Sequence, residues 1–361
     1  MSQELVFQLA LSLIKGVGPV TAKKLIAYCG GPEAVFKEKI SNLKKIPTIG
    51  NVLAKEIQNP SVLRRAEEEM NHIYKRGIST LSFWDSLYPV QLKQCVDAPI
   101  LLFSKGNVDW GNKRIVSVVG TRKASSYGLS VCKELIKELS AFSPIIVSGL
   151  AYGIDSCAHK EAIKNNLQTV GVLAHGLDTI YPKSNAKLAQ DMIESGGLLT
   201  EFLSQTKLLK ENFVRRNRIV AGISDVTIVI ESKVKGGAMI TARMANSYSR
   251  EVFAIPARLN DKASFGCLEL IKNNEAMVYT GIDDIINNLT WQKSEVNNQI
   301  SLFDFTPKEK SIYDLIVENK EMHIDTISNK SNISSNELAQ ILMNLELEGV
   351  IHLKAGNIYM S

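Results

Sequence analysis

Between about residue 115 and residue 288, short runs of aliphatic and β-branched residues alternate with longer stretches of helical periodicity. The runs fall near 115–119, 145–148, 168–173, 225–230, 251–255 and 276–279, and none is long enough to hold a helical repeat. Runs of this kind read as strands buried on both faces. Their alternation with helices predicts an α/β domain built on a doubly wound parallel sheet. Residues 78–113 read as a connecting segment, because Pro89 and Pro99 interrupt any helix there. The polar stretch at 287–299 reads as a linker out of the domain.

The flanks carry different patterns. "IKGVGPVTAKKLI" at 14–26 and "IPTIGNVLAKEI" at 46–57 both place a Gly, an Ala four later and an aliphatic residue three after that. Gly18, Ala22 and Leu25 are thus repeated as Gly50, Ala54 and Ile57, offset by 32 residues. A Gly turn with Ala at the crossing lets two short helices pack closely, so the repeat resembles a tandem helix-hairpin-helix of the SAM-like kind. Its hairpin N–H groups could take a phosphate, although few Arg residues flank them.

The last residues read as a winged helix. A Thr cap and Pro307 open its first helix, a second covers roughly 323–330, a third runs from capping serines to Gly349, and two strands flank Ala355-Gly356. The third helix carries Glu337, Glu346 and Glu348 and no Lys or Arg, which favours packing or a protein contact over DNA reading. The expected domains are therefore 1–77 helical, 78–288 α/β, 289–305 linker and 306–361 winged helix.

Composition sets limits on the chemistry. With 45% hydrophobic residues in 361, several cores can be filled, and no run of roughly 18 apolar residues reads as a membrane span. A soluble cytoplasmic protein without a membrane partner is expected. The five cysteines form no CxxC pair and read as core thiols. Formal net charge is +5, unevenly placed: residues 306–361 hold five Lys, no Arg and eight acidic residues, a net −3, which leaves +8 on the first 305. A polyanion site belongs on the larger part.

That site is legible in the turns that follow the strands. Gly120, Thr121 and Arg122 follow the first run, and Ser148-Gly149 follow the second, with a helix opening at Gly153-Ile154 and Asp155 placed to cap it. Each such turn aims backbone donors and a helix dipole at the carboxyl edge of the sheet. "GLDTIYPKSN" at 176–185 adds Lys183, with Ser184 or Asn185 as the next cap. "LLKENFVRRNRIVAG" at 208–222 adds Lys210, Phe213, Arg215, Arg216, Asn217 and Arg218. "KVKGGAMITA" at 233–242 adds the Gly236-Gly237 turn, and Arg258 follows the next run.

Catalytic equipment is thin by comparison. Asp155, Asp178, Glu201, His159 and His175 lie nearby, but no spacing assembles a nucleophile, a base and an orienting group. His159 reads as a packed histidine. Metal-ligand spacing, a GxGxxG fingerprint and a Walker A loop are missing from the sequence, so no cofactor or metal is expected. A basic edge with an aromatic at Phe213 fits single-stranded nucleic acid, gripped by its backbone while a base stacks. An exposed basic helix face alone would also produce the "FVRRNR" run.

"VVGTR…SYG", "VSGLAYGIDSCAH", "GLDTIYPKSN", "NFVRRNRIVAG", "GGAMITA" and "REVFAIPA" occur in that order. Together they resemble the successive motifs of the DprA (Smf) family of DNA-processing proteins, over nearly the whole chain. The resemblance implies an extended Rossmann-like fold in a non-enzymatic protein that binds and protects single-stranded DNA. It also implies a homodimer through that fold and loading of the RecA recombinase on incoming strands during natural transformation. Carried onto this sequence, Arg122, Lys183 and Lys210 would hold phosphates and Phe213 would contact a base. Asn217 and Arg218 would shape the pocket with Gly149 and Gly237, and Gly120, Thr121, Ser148, Arg216 and Gly236 complete the expected contact set. Tyr152 and Val214 stand where the family usually has Arg and Pro. Tyr152 removes a cation but offers a ring for stacking, and Val214 loses a fixed φ ahead of the basic cluster. The competing reading is a Rossmann-fold hydrolase of nucleoside monophosphates. Those proteins show a "PGGxGTxxE" pattern, and "KGGAMITA" keeps its glycines without the Glu.

Overall fold

The computed structural model describes residues 3–111, 113–258, 261, 263–291, 306–319, 321–331, 333–347, 351–354 and 358–360. The chain divides into two compact units, Met1–Ser294 and Glu295–Ser361.

The first unit is organised by one sheet of nine strands: β1 (Ser79–Ser82), β2 (Leu101–Gly106), β3 (Ile115–Val119), β4 (Ile145–Ser148), β5 (Thr169–Val172), β6 (Gly196–Thr200), β7 (Val226–Val229), β8 (Glu251–Ala254) and β9 (Met277–Val278). Their order is β1-β2-β6-β5-β4-β3-β7-β8-β9. Pairing from β6 through β9 is parallel, as the apolar runs predict. All five residues of β3 are buried, and they alternate between two cores. Ile115 and Val119 pack with Val147, Ile219, Val220 and Ala242 on one face. Val116 and Val118 pack with Leu135, Ile136, Ile146 and Ile154 on the other. Helices on both faces explain why strands without polar alternation are stable here.

Three strands depart from the expectation. β1 and β2 lie in the segment read as a connector, and they add to the sheet in antiparallel sense, with β2 pairing β6. Pro89 and Pro99 both lie between β1 and β2 and enter neither, so they separate two strands rather than break the region. β6 begins with Gly196-Gly197, which hid its short apolar core from a reading based on β-propensity.

The N-terminal repeat is a repeat in space. Gly18 and Gly50 each cap a helix, Pro19–Cys29 and Asn51–Ile57, with nearly equal backbone angles: φ −86°, ψ 176° and φ −85°, ψ 177°. Ala22 N–H donates to the Gly18 carbonyl at 2.9 Å, and Ala54 N–H to that of Gly50 at 3.0 Å. Ala22, Leu25, Ala54 and Ile57 share one apolar cluster. The helix Pro60–Lys75 ties this segment to the sheet. Buried Glu69 on it accepts from the Ser204 N–H at 2.7 Å and from the Ser204 hydroxyl at 2.5 Å.

Of the five thiols, Cys95, Cys132, Cys157 and Cys267 are buried and Cys29 is half-buried. Among the described residues no helix is long and apolar enough to cross a membrane.

The second unit holds helices Pro307–Asn319, Ile324–Ser331 and Ser335–Leu347 with a three-stranded antiparallel sheet. Its core includes Ile312, Ile316, Ile327, Leu342 and Leu345. Thr306 and Glu309 cap the first helix reciprocally: Glu309 N–H donates to Thr306 Oγ1 at 3.3 Å, and Thr306 N–H to Glu309 Oε2 at 2.9 Å. Strands His352–Lys354 and Ile358–Met360 flank the expected turn, and a further strand at Glu321–His323 joins them. Helix Ile282–Leu289 and the turn after it take up the start of the expected linker. The rest of the linker, at 292–305, lies outside the described residues, as do Gly349 and Ala355-Gly356.

Candidate nucleic-acid interface

The chain runs from β3 out through β4, β5 and β6 on one side, then returns to place β7 on the other side of β3. In such sheets ligands bind outside the carboxyl ends of the strands. The two glycine turns expected there form one assembly. Thr121 N–H donates to the Glu231 carbonyl at 2.7 Å, and the Thr121 carbonyl accepts from Ile154 N–H at 3.2 Å. Gly153 has φ 76°, and a Cβ there would overlap the backbone of Thr121 and Arg122. Glycine therefore lets the turn after β4 rest directly on the turn after β3.

A cleft of about 420 Å³, counting the space open to solvent, lies above this assembly. Arg122, Tyr152, His175, Tyr181, Phe213 and Arg216 line it, over a floor that includes Leu150, Val172 and Leu173. Phe213 sits at its centre of contacts: Tyr181 meets its ring nearly edge-on at 5.9 Å, and the Arg122 guanidinium lies over it at 5.7 Å. Tyr152 is half exposed, and its hydroxyl accepts from Ser184 at 3.1 Å, beside Lys183. The Tyr181-Pro182 peptide is cis.

Arg216 and Asp155 are both buried beneath the cavity. Arg216 donates to the Val172 carbonyl through Nη1 and to Asn217 Oδ1 through Nε at 3.2 Å. A side chain at Gly149 would overlap both the Arg216 guanidinium and the Asp155 carboxylate, so Gly149 leaves the space in which they face each other. Burial pushes the Asp155 carboxyl above its usual range, with Arg216 pulling the other way. Asp155 does not cap the helix as expected. Gly153 holds that position, and Asp155, the second residue of the helix, accepts from Ala151 N–H at 3.4 Å. His159 is packed, with Nδ1 2.7 Å from Thr169 Oγ1 and Nε2 2.5 Å from the Gly149 carbonyl. Burial lowers its pKa to about 4.

Other expected residues take different places. Lys183 and Lys210 are exposed, each at the first position of its helical segment. Asn217 reaches the Gly237 carbonyl at 3.4 Å, joining helix Lys210–Ile223 to the Gly236-capped helix Gly237–Ser247. Ser184 and Asn185 make no side-chain cap, and the Asn185 amide donates instead to the Leu150 carbonyl at 3.0 Å.

Two expected contact residues belong to the interior. The Ser148 hydroxyl donates to the Val118 carbonyl at 2.6 Å and is fully buried. Arg218 is buried against Glu201 Oε2 at 2.5 Å and also reaches the Asp97 carbonyl. Tyr181 lay outside the sequence-derived set. The one signal for it was an aromatic next to Pro182, inside a loop already noted for Lys183.

The fold and the site define a class: an α/β protein with a mostly parallel sheet and an open carboxyl edge where Arg122 and Arg216 line an aromatic cavity. The family described as DNA recombination-mediator protein A matches residues 79–290. The DprA winged helix domain matches residues 301–357. The chain is 40% identical over 210 residues to DNA processing protein DprA of Bacillus subtilis, covering 58% of this chain and 71% of that protein. It is 39% identical over 231 residues to the DprA of Streptococcus pneumoniae, covering 63% and 81%. An X-ray structure of the S. pneumoniae protein superposes with a TM-score of 0.66 at 30% identity, covering 81% of this chain and 99% of that one. A structure of DNA processing protein A from Helicobacter pylori, described for its single-stranded DNA binding mode, superposes at 0.54 with 31% identity, covering 60% and 97%. This chain belongs to the DprA family of DNA-processing proteins. The names of these relatives describe DNA processing and DNA binding, and none states a catalysed reaction.

Proposed function

We propose that this protein binds single-stranded DNA at the carboxyl edge of its sheet, with one base in the aromatic cavity and the adjoining phosphates on Arg122, Lys183 and Lys210. The observation that carries the reading is the Arg122–Phe213–Tyr181 cluster on the wall of one solvent-open cavity. Gly120, Thr121, Gly236 and Gly237 contribute backbone at the same edge, and Asn217 braces it. Arg216, over Gly149, gives the cavity floor its positive charge. Ser148 and Arg218 act from beneath, by fixing the strand end and the helix. The single-stranded DNA binding named for the H. pylori relative supports this assignment.

The family also supports a wider role. The protein protects incoming single strands and loads RecA on them during natural transformation, acting in the cytoplasm as a homodimer through the sheet domain.

The test is equilibrium binding of a fluorescent oligo-dT and of a duplex across a salt series, for wild type and Arg122→Ala. Tight single-strand binding is expected, with a log–log salt slope that the substitution reduces by about 0.7. Binding indifferent to strandedness and to Arg122 would refute the assignment. The recombination role is tested by adding RecA to strands covered by a single-strand binding protein: filament formation should accelerate only when this protein is present.

A further inference from the structure

Helix Lys210–Ile223 faces two cavities. Phe213 and Arg216 line the aromatic one. Asn212 and Arg215 line a second, of about 830 Å³, whose far wall is the first N-terminal hairpin at Val17, Gly18 and Pro19. We infer that this crevice between hairpin and sheet is a second nucleotide subsite, taking a phosphate and base of the same strand after it crosses the first turn of the helix. The inference rests on the function proposed above.

The lining has the chemistry of a nucleotide site rather than of a packing defect. Lys207 and Arg215 supply cations on one wall, and Lys207 is exposed. Arg215 is half exposed; it lies over the Phe202 ring at 5.1 Å and gives one nitrogen to Glu201, which leaves guanidinium donors free. Opposite them, Gly18 caps helix Pro19–Cys29 without a side-chain hydrogen bond. Gly18 and Pro19 thus place the N-terminal, positive end of that helix dipole at the crevice wall.

An independent observation points to a ligand with donors as well as an anion. Glu201 lines the crevice and is 8% exposed. Its Oε2 takes both Arg215 and Arg218, while its Oε1 is buried without a partner among the described residues. A phosphodiester alone has no donor, so it would satisfy the cations and leave that oxygen unmet. A nucleotide also brings base N–H groups. The repeat supplies an internal control: Gly50 has the backbone geometry of Gly18 but is not part of the lining.

The experiment compares oligo-dC of about four and about sixteen nucleotides, the span of site sizes for single-strand binders, on the full-length protein. Lys207→Glu should leave the short strand within about twofold of wild type, weaken the long strand roughly tenfold and lower its salt slope by about 0.7 or more. Lys55→Glu, an exposed change on the second hairpin, should alter neither. A long strand carrying 5-iodouracil should crosslink to the peptide spanning 12–22 as well as to that spanning 210–218. Equal effects of Lys207→Glu on both lengths, or no effect on either with no crosslink in 12–22, would overturn the subsite. Failure of the short strand to bind wild type would instead overturn the aromatic-cavity reading.

Discussion

The guanidinium of Arg122 lies over the ring of Phe213, 5.7 Å from its centroid. A base that stacks on that face must take the place of the arginine, and the displaced cation is then free beside the incoming phosphate. Base and phosphate recognition are therefore coupled through one contact. Arg122→Ala and Phe213→Leu should each weaken single-strand binding, and the double variant should depart from additivity by about 0.5 kcal/mol or more. Strictly additive losses in a double-mutant binding cycle would show that the two groups act independently.

Arg218 tests the division between contact and support. It is buried against Glu201, whereas Lys210 and Arg122 are exposed. Removing Arg218 leaves buried Glu201 with the half-exposed Arg215 as its remaining cation, at a cost of up to about 3–5 kcal/mol. Arg218→Ala should lower the urea midpoint strongly, whereas Arg122→Ala should change stability by about 0.5 kcal/mol or less. Equal stability for the two variants would return Arg218 to the set of direct contacts.

These two arginines also mark how far the sequence could be read. The runs that became β3, β4, β5, β7 and β8 were visible because a strand buried on both faces needs an unbroken apolar run. The repeat was visible because Gly18 and Gly50 stand at the same spacing from Ala22 and Leu25 and from Ala54 and Ile57, which share one apolar cluster. Residue type revealed that donors gather at one edge, but not which of them point outward. Arg215, Arg216 and Arg218 are near neighbours on one helix, yet the first is half exposed and the other two are buried. β6 escaped because its pairing with β2 and β5 is a tertiary fact that two leading glycines do not advertise.

His159 gives the fold a pH dependence of definite sign. Burial holds its folded-state pKa near 4, against 6.5 for a free imidazole. The unfolded chain therefore binds the extra proton first as pH falls. The stability contribution is complete above about pH 6.5 and is lost as pH drops toward 4, with roughly 2 kcal/mol gone by pH 5. His159→Gln should flatten this part of the stability profile between pH 7 and pH 5, measured by urea unfolding. Burial of Asp155 acts with the opposite sign in both proteins and so drops out of the comparison. An unchanged slope in the variant would assign the dependence to other groups.

The two compact units make the contribution of the second one measurable. Residues 306–361 carry a net −3, and helix Ser335–Leu347 has Glu337 and Glu346 with no Lys or Arg. Salt slopes count cations placed on phosphates, so a unit of this charge should add nothing to them. A chain ending at Ser294 should keep its single-strand affinity within about threefold and its slope unchanged, provided circular dichroism shows the first unit folded. If affinity instead fell by an order of magnitude with the fold intact, strand contact would have to extend onto the second unit despite its charge. If affinity is kept while RecA loading is lost, the acidic unit is the surface that meets a protein partner.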